Sequence, residues 1–168
     1  MSTQATPDVM DQLAGLAPDS PLALLRRQRP DVVKHLQGSN EAIFAPRDDG
    51  GLSAAERAAA ALRIAVQLRD ARLQAHYRSR LETLDRGGKL AASVTGASGG
   101  GGDARWRTIL AHVERVTADP DSARREHIDG LLAAGLSPRA VLALSQLIAY
   151  VSFQARVLAG LRVLGGRS

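Results

Sequence analysis

Residues 109–161 read ILAHVERVTADPDSARREHIDGLLAAGLSPRAVLALSQLIAYVSFQARVLAGL, and the breaks in that stretch decide the fold. An apolar helix runs to Val116-Thr117 and halts at Asp119-Pro120, because the residue before a proline is pushed out of helical geometry. A short helix over His127–Ala134 then closes at Gly135. Ser137 caps the final helix, and Pro138 is preset for its first position. The run from Ala140 to Leu161 is apolar nearly all round and ends in an F-x-x-R pattern at Phe153 and Arg156. No alternating run of β-branched residues lies between turns, so strand signals are almost absent. The chain reads as all-α.

On the N-terminal side of this stretch, Asp103 caps a helix whose apolar face is Trp106, Leu110, Val113 and Thr117. Ser53 and Glu56 form an S-x-x-E capping box at the start of an alanine-rich helix. Asp70 is a second N-cap, which predicts a break near Leu68–Asp70 and a new helix over Ala71–Arg86 with Leu73, Tyr77, Leu81 and Leu84 on one face. Gly87 and Gly88 end that helix. Gly51-Leu52-Ser53 and Gly135-Leu136-Ser137 echo one another, each stopping one helix and capping a long apolar one. Nearer the N-terminus, Ser20-Pro21 opens a helix that stops before Pro30. Asp31 is expected to cap VVKHLQ, Gly38 to break it, and Asn40–Phe44 to add a short turn of helix. Residues 1–50 thus read as a tail and helical extension, and residues 51–168 as the main helical domain. The segment TGASGGGG at 95–102 reads as a flexible link. Seven or eight helices in a single-domain bundle are expected.

The 109–161 pattern resembles the second half of the carboxymuconolactone decarboxylase and alkylhydroperoxidase-D-like superfamily, a peroxidase-related group. The stretch GLSAAERAAAALRIAVQLRDARLQAHYRSRL at 51–81 falls where many of its members carry a glutamate, a C-x-x-C pair and a nearby histidine. The resemblance implies an all-α fold and a site around Glu56, His76 and Tyr77. This chain has no cysteine. Peroxide reduction in the family needs a thiolate that becomes a sulfenic acid and a second thiol that condenses with it. Arg69, Asp70, Ala71, Arg72 and Leu73 stand around the matching position, and none is a peroxide nucleophile.

The residues leave acid–base chemistry open. His76 is a candidate general base, with Arg69 or Arg72 holding a substrate carboxylate through the planar guanidinium fork. The simpler reading makes His76 a satisfied, partly buried histidine beside Leu73 and Tyr77. Glu56 is explained by its capping box, and Tyr77 by packing. Glu56 and His76 are twenty residues apart, about 200° around a straight helix, so only the break near Asp70 would let them converge. No H-x-x-x-H or H-E-x-x-H pattern is present, and no metal or cofactor is expected.

A chain of 168 residues and 17.7 kDa, with 45% hydrophobic residues, can bury a core without disulfides. Its net charge of +5 permits a polyanion partner. Against nucleic acid stand only five aromatic residues (one Trp, two Tyr, two Phe), too few for a stacking platform, and arginines scattered among acids. The polar interruptions Ser145, Gln146, Ser152, Gln154 and Arg156 weigh against a membrane span in the last helix. The absence of cysteine and of a secretory pattern at the start leads to a cytoplasmic expectation. Ser145, Ser152 and Arg156 line up as a polar stripe, and a helix otherwise apolar must be covered on every side. A homo-oligomer is therefore expected. Three functions remain: a cofactor-free enzyme acting on a small acidic metabolite, a non-catalytic assembly partner of a cysteine-containing relative, and a basic module for a polyanion.

Overall fold

The computed structural model describes residues 8–95 and 102–166. Among them are nine α-helices, one 3-10 turn and no strand: α1 (Val9–Ala14), α2 (Pro21–Arg27), α3 (Pro30–Phe44), α4 (Ala54–Gln67), α5 (Ala71–Leu84), α6 (Lys89–Thr95), α7 (Ala104–Ala118), α8 (Arg125–Ala133) and α9 (Pro138–Leu164). The all-α reading of the sequence is met. The glycine-rich link lies outside the described residues except at its ends, Thr95 and Gly102, and so do residues 1–7 of the tail.

α4 is the centre. Ala58, Ala59, Ala60, Ala61, Leu62, Ile64 and Ala65 have no exposed surface, and the helix packs against α5, α6, α7 and α9. Alanine loses no side-chain entropy in a helix and lets neighbouring backbones approach closely, so a short-side-chain rod can be surrounded. The capping box that opens it is complete: Ser53 N donates to Glu56 Oε2 at 2.8 Å and Glu56 N to Ser53 Oγ at 3.3 Å. α4 ends at Gln67, and Arg69 turns the chain with φ +56°, a left-handed conformation unusual for a side chain with a Cβ. Asp70 then caps α5 by accepting from Arg72 N and Leu73 N. The break foreseen at 68–70 is where the chain folds back.

The two G-L-S turns are alike in three dimensions. Gly51 and Gly135 both have φ +90°, Leu52 and Leu136 are both buried, and Ser53 and Ser137 both cap. They also meet, since Ser137 Oγ donates to Gly50 O at 2.9 Å. Local signals at Ser20, Asp70, Asp103 and Ser137 each cap the helix the sequence assigned to them.

Three details differ. Gly38 does not break the chain: α3 continues through it from Pro30 to Phe44, because a lone glycine lowers helix stability by only about 1 kcal/mol and does not clash. Asp31 sits in the first turn of α3, with Arg29 in the capping position. α5 stops at Leu84, and Asp85 turns outward to cap α6 by accepting from Leu90 N (2.8 Å) and Ala91 N (3.1 Å). The N-terminal helices also belong to the main core: Val9, Met10, Leu13 and Phe44 join the same buried cluster as α4 and α9. α1 is pinned by ion pairs from Arg26 to the buried carboxylates of Asp8 and Asp11.

By length and composition α9 would pass for a membrane span. Leu144, Leu147, Ile148, Val151 and Leu158 are nonetheless buried against the rest of the fold, and Gln154 is wholly buried with them. The opposite arc, Leu142, Ser145, Ala149, Phe153, Arg156 and Val163, is exposed.

Arg57 fastens the α3–α4 connection to α4. Only 3% exposed, it donates to three backbone carbonyls, Leu52 O (2.8 Å), Asp49 O (2.8 Å) and Ile43 O (2.9 Å). Arg57→Met should destabilise the protein by about 3 kcal/mol, because a buried charged donor to three carbonyls, the Leu52 carbonyl fully buried, is removed. Arg125→Ala, which breaks an exposed pair with Asp129, should change stability by less than about 0.5 kcal/mol. Urea unfolding of both variants checks this, and similar losses would refute the clamp.

Candidate functional site

Asp70 fixes the start of α5 and so the direction in which its first two turns project. Arg72 and His76 are four residues apart, which sets them one above the other on a helix face. Both line one hollow of about 400 Å³, with Gln12, Leu13 and Gly15 from the end of α1 and Ala75 completing its wall. Arg72 Nη1 donates to Leu13 O at 3.2 Å, and no acidic side chain among the described residues pairs with this guanidinium. Gly15 has φ +64°, and a Cβ there would come within 2.8 Å of Arg72 Nη1. Only glycine suits both the turn and the close approach.

His76 is half-buried and makes no hydrogen bond to a described residue. Its ring meets Tyr77 edge-on at 4.9 Å between centroids. Burial, and then the charge of Arg80, hold its pKa below the ordinary 6.5. The imidazole is thus kept neutral near pH 7, the form that accepts a proton. Arg80 is itself committed, donating to Phe44 O at 3.0 Å and stacking over the Phe44 ring. The arrangement provides a proton acceptor one helical turn from an anion-binding fork.

The other candidates lie elsewhere. Glu56 is at the opposite end of the α4–α5 hairpin, where it completes its capping box and pairs with Arg105. It lines a separate hollow with Asp85, Lys89 and Trp106, and its bonds run to Ser53 and Arg105 and not to His76. Tyr77 is wholly buried and donates its hydroxyl to Gln154 Oε1 at 2.5 Å; burial drives its pKa well above the usual phenol value. Arg69 is exposed at the turn between α4 and α5. Of the candidate site residues Glu56, Arg69, Arg72, His76 and Tyr77, the two that line the same hollow are Arg72 and His76.

Sequence reasoning missed the contribution of α1, because nothing in Gln12-Leu13-Ala14-Gly15 announces a partner as distant as Arg72, 59 residues from Leu13. It also missed Arg162 at the end of α9, which pairs with the buried Asp70 carboxylate at 2.6 Å. His112 carries no sequence signal, yet it is buried in α7 with Nδ1 unpartnered among the described residues, and burial, His127 and Arg115 lower its pKa. Among the described residues no group of three or more His, Cys, Asp or Glu side chains is placed to hold a metal ion.

The two lowered histidines set a pH dependence. In the unfolded chain each takes up its proton as pH falls through about 6.5; in the folded chain uptake is deferred to lower pH. Stability is therefore full above pH 6.5 and is lost as pH falls from there through the folded pKa values. The melting temperature should drop between about pH 7 and pH 5, and the double variant His76→Gln, His112→Gln should flatten most of that slope. An unchanged slope in the double variant would assign it to other groups.

Comparison with known proteins bears on the fold. No family model matches the sequence, and no curated protein matches it. Among solved structures, an uncharacterized peroxidase-related protein from Silicibacter sp. TM1040 is similar with a TM-score of 0.72, covering 95% of this chain and 92% of that one at 13% sequence identity. At that identity the likeness is one of fold, and it takes in the N-terminal helices as well as α4 to α9.

Proposed function

We propose that this chain is a cysteine-free member of the carboxymuconolactone decarboxylase and alkylhydroperoxidase-D-like superfamily, performing cofactor-free acid–base chemistry on a small acidic metabolite. The observation that supports it is the shared hollow of Arg72 and His76. Arg72 binds and orients the substrate carboxylate, and an imidazole nitrogen of His76 accepts a proton from the adjacent carbon or hydroxyl. The fold supports the peroxidase-related ancestry, while the composition removes the thiol cycle. Glu56 and Tyr77 are left out of the chemistry because their polar atoms are already engaged.

The protein should not reduce hydrogen peroxide or organic peroxides with a dithiol donor, because no thiolate exists to attack oxygen and form the sulfenic acid. Screening small carboxylic acids and lactones for turnover tests the positive half. His76→Gln should lower kcat at least about a hundredfold, and Arg72→Gln should raise KM. Dithiol-dependent peroxide turnover, or an unaffected rate in the His76 variant, would overturn the assignment.

A second reading, a non-catalytic partner in an assembly, is favoured by the exposed arc of α9. Leu142 is 60% exposed, Phe153 39% and Val163 78%, on a helix whose other side is core. We assign this arc to self-association, which is compatible with either function. Light scattering should give a mass at least twice that of the 17.7 kDa chain, and Leu142→Asp with Phe153→Asp should reduce it to one chain. A monomeric native protein at micromolar concentration would refute self-association.

A further inference from the structure

We infer that a second hollow, neighbouring the first and sharing Arg72 and Gly15 with it, binds an aliphatic monocarboxylate of medium chain length. This hollow has a volume of about 410 Å³, within the range of small-ligand sites. Its walls come from the α1–α2 connection, the start of α5 and the end of α9, and Leu16, Leu22, Leu161 and Leu164 make it largely aliphatic. Its charged lining is Arg72 and Arg162. None of the described residues lining it is aromatic, so stacking gives no preference for an aryl ligand.

Charge selects the head group. Arg162 Nη2 is held by Asp70 Oδ2 at 2.6 Å, and the Asp70 carboxylate is 4% exposed. Arg72 gives Nη1 to a backbone carbonyl, which leaves its Nε–Nη2 edge without a partner among the described residues. Two guanidinium charges against one carboxylate leave a single positive charge on this wall. A partly desolvated guanidinium is stabilised by an anion that meets its fork in plane, which a carboxylate does with two parallel hydrogen bonds. One negative charge balances the wall; a dianion would overcharge it.

The remainder of the cavity selects the tail. Water beside four leucines has few polar partners, so displacing it by a hydrocarbon chain is favourable. Head group and tail therefore point to one amphipathic acid, with its carboxylate at Arg72 and its chain running toward Leu161 and Leu164. The proposal rests on the same assignment of Arg72 as a carboxylate fork that the proposed function uses, and it requires no chemistry at His76.

The test is calorimetric titration of the full chain with sodium decanoate below its micelle concentration. Saturable binding at one site per chain is expected. Arg72→Gln should weaken it at least about tenfold, the scale of losing a charge-assisted hydrogen bond. Because Arg72 also braces α1, a second variant is needed that leaves the fold alone. Leu164 is 69% exposed, and Leu164→Glu places a negative charge at the mouth of the hollow, so it should weaken decanoate several-fold with the melting temperature unchanged. Decanol, which keeps the tail, and butanoate, which keeps the head, should each bind more weakly than decanoate. Absence of saturable binding, equal affinity for decanol, or full affinity in Leu164→Glu would overturn the site. If decanoate binds and no acid is turned over, the catalytic reading falls and this site stands; if His76-dependent turnover is found without decanoate binding, the reverse holds.

Discussion

The structure depends on the burial of α4 on all sides. Four successive alanines with no exposed surface leave no face for solvent, so the surrounding helices must supply cover, and the ends of the rod must satisfy their own polar groups without easy access to water. At its start this is done by the Ser53–Glu56 box, by Arg105 on Glu56, and by Arg57 reaching back to three carbonyls. At its end the chain reverses within three residues and accepts a left-handed Arg69 to do so. That reversal makes α5 the antiparallel neighbour of α4. It also sends His76 away from the capped end, where Glu56 sits.

The same constraint explains which parts of the molecule are legible in the sequence. Caps and stops are local: Ser53 with Glu56, Asp70, Asp103 and Ser137 each bond backbone amides within a few residues, so their spacing is sufficient evidence. Gly38 misleads because a glycine weakens a helix by only about 1 kcal/mol without forbidding it, and α3 runs through it from Pro30 to Phe44. Arg57 is invisible, since a buried arginine and an exposed one look alike until the carbonyls it meets are known. The pairing of Glu56 with His76 implied by the resemblance also concerns tertiary geometry. Each belongs to its own hollow, and the residue that does accompany His76 is Arg72, one turn away on the same helix.

Arg72 and Arg162 show how partners, and not residue type, set the local charge. Both reach the second hollow. Arg162 is neutralised by Asp70, whose second role as the α5 cap holds it in place, so that pair is part of the scaffold. Arg72 is braced by a backbone carbonyl, which fixes its position without cancelling its charge. A guanidinium held in place but electrically unbalanced attracts an anion at little further ordering cost.

That unbalanced charge bears on His76 as well. In the free protein burial and Arg80 both oppose protonation of the imidazole, which makes it available as a base but a weak one. A carboxylate bound at Arg72 would bring a negative charge into the same hollow and oppose the effect of Arg80, raising the proton affinity of His76. On the proposed function, binding and basicity would be coupled: the acceptor would strengthen with an acidic ligand in place, and an imidazolium formed by proton transfer would have an anion beside it. A neutral ligand of the same shape would gain neither the fork nor the strengthened base, so the selectivity of such a site for acids would reside in the proton transfer as much as in the binding.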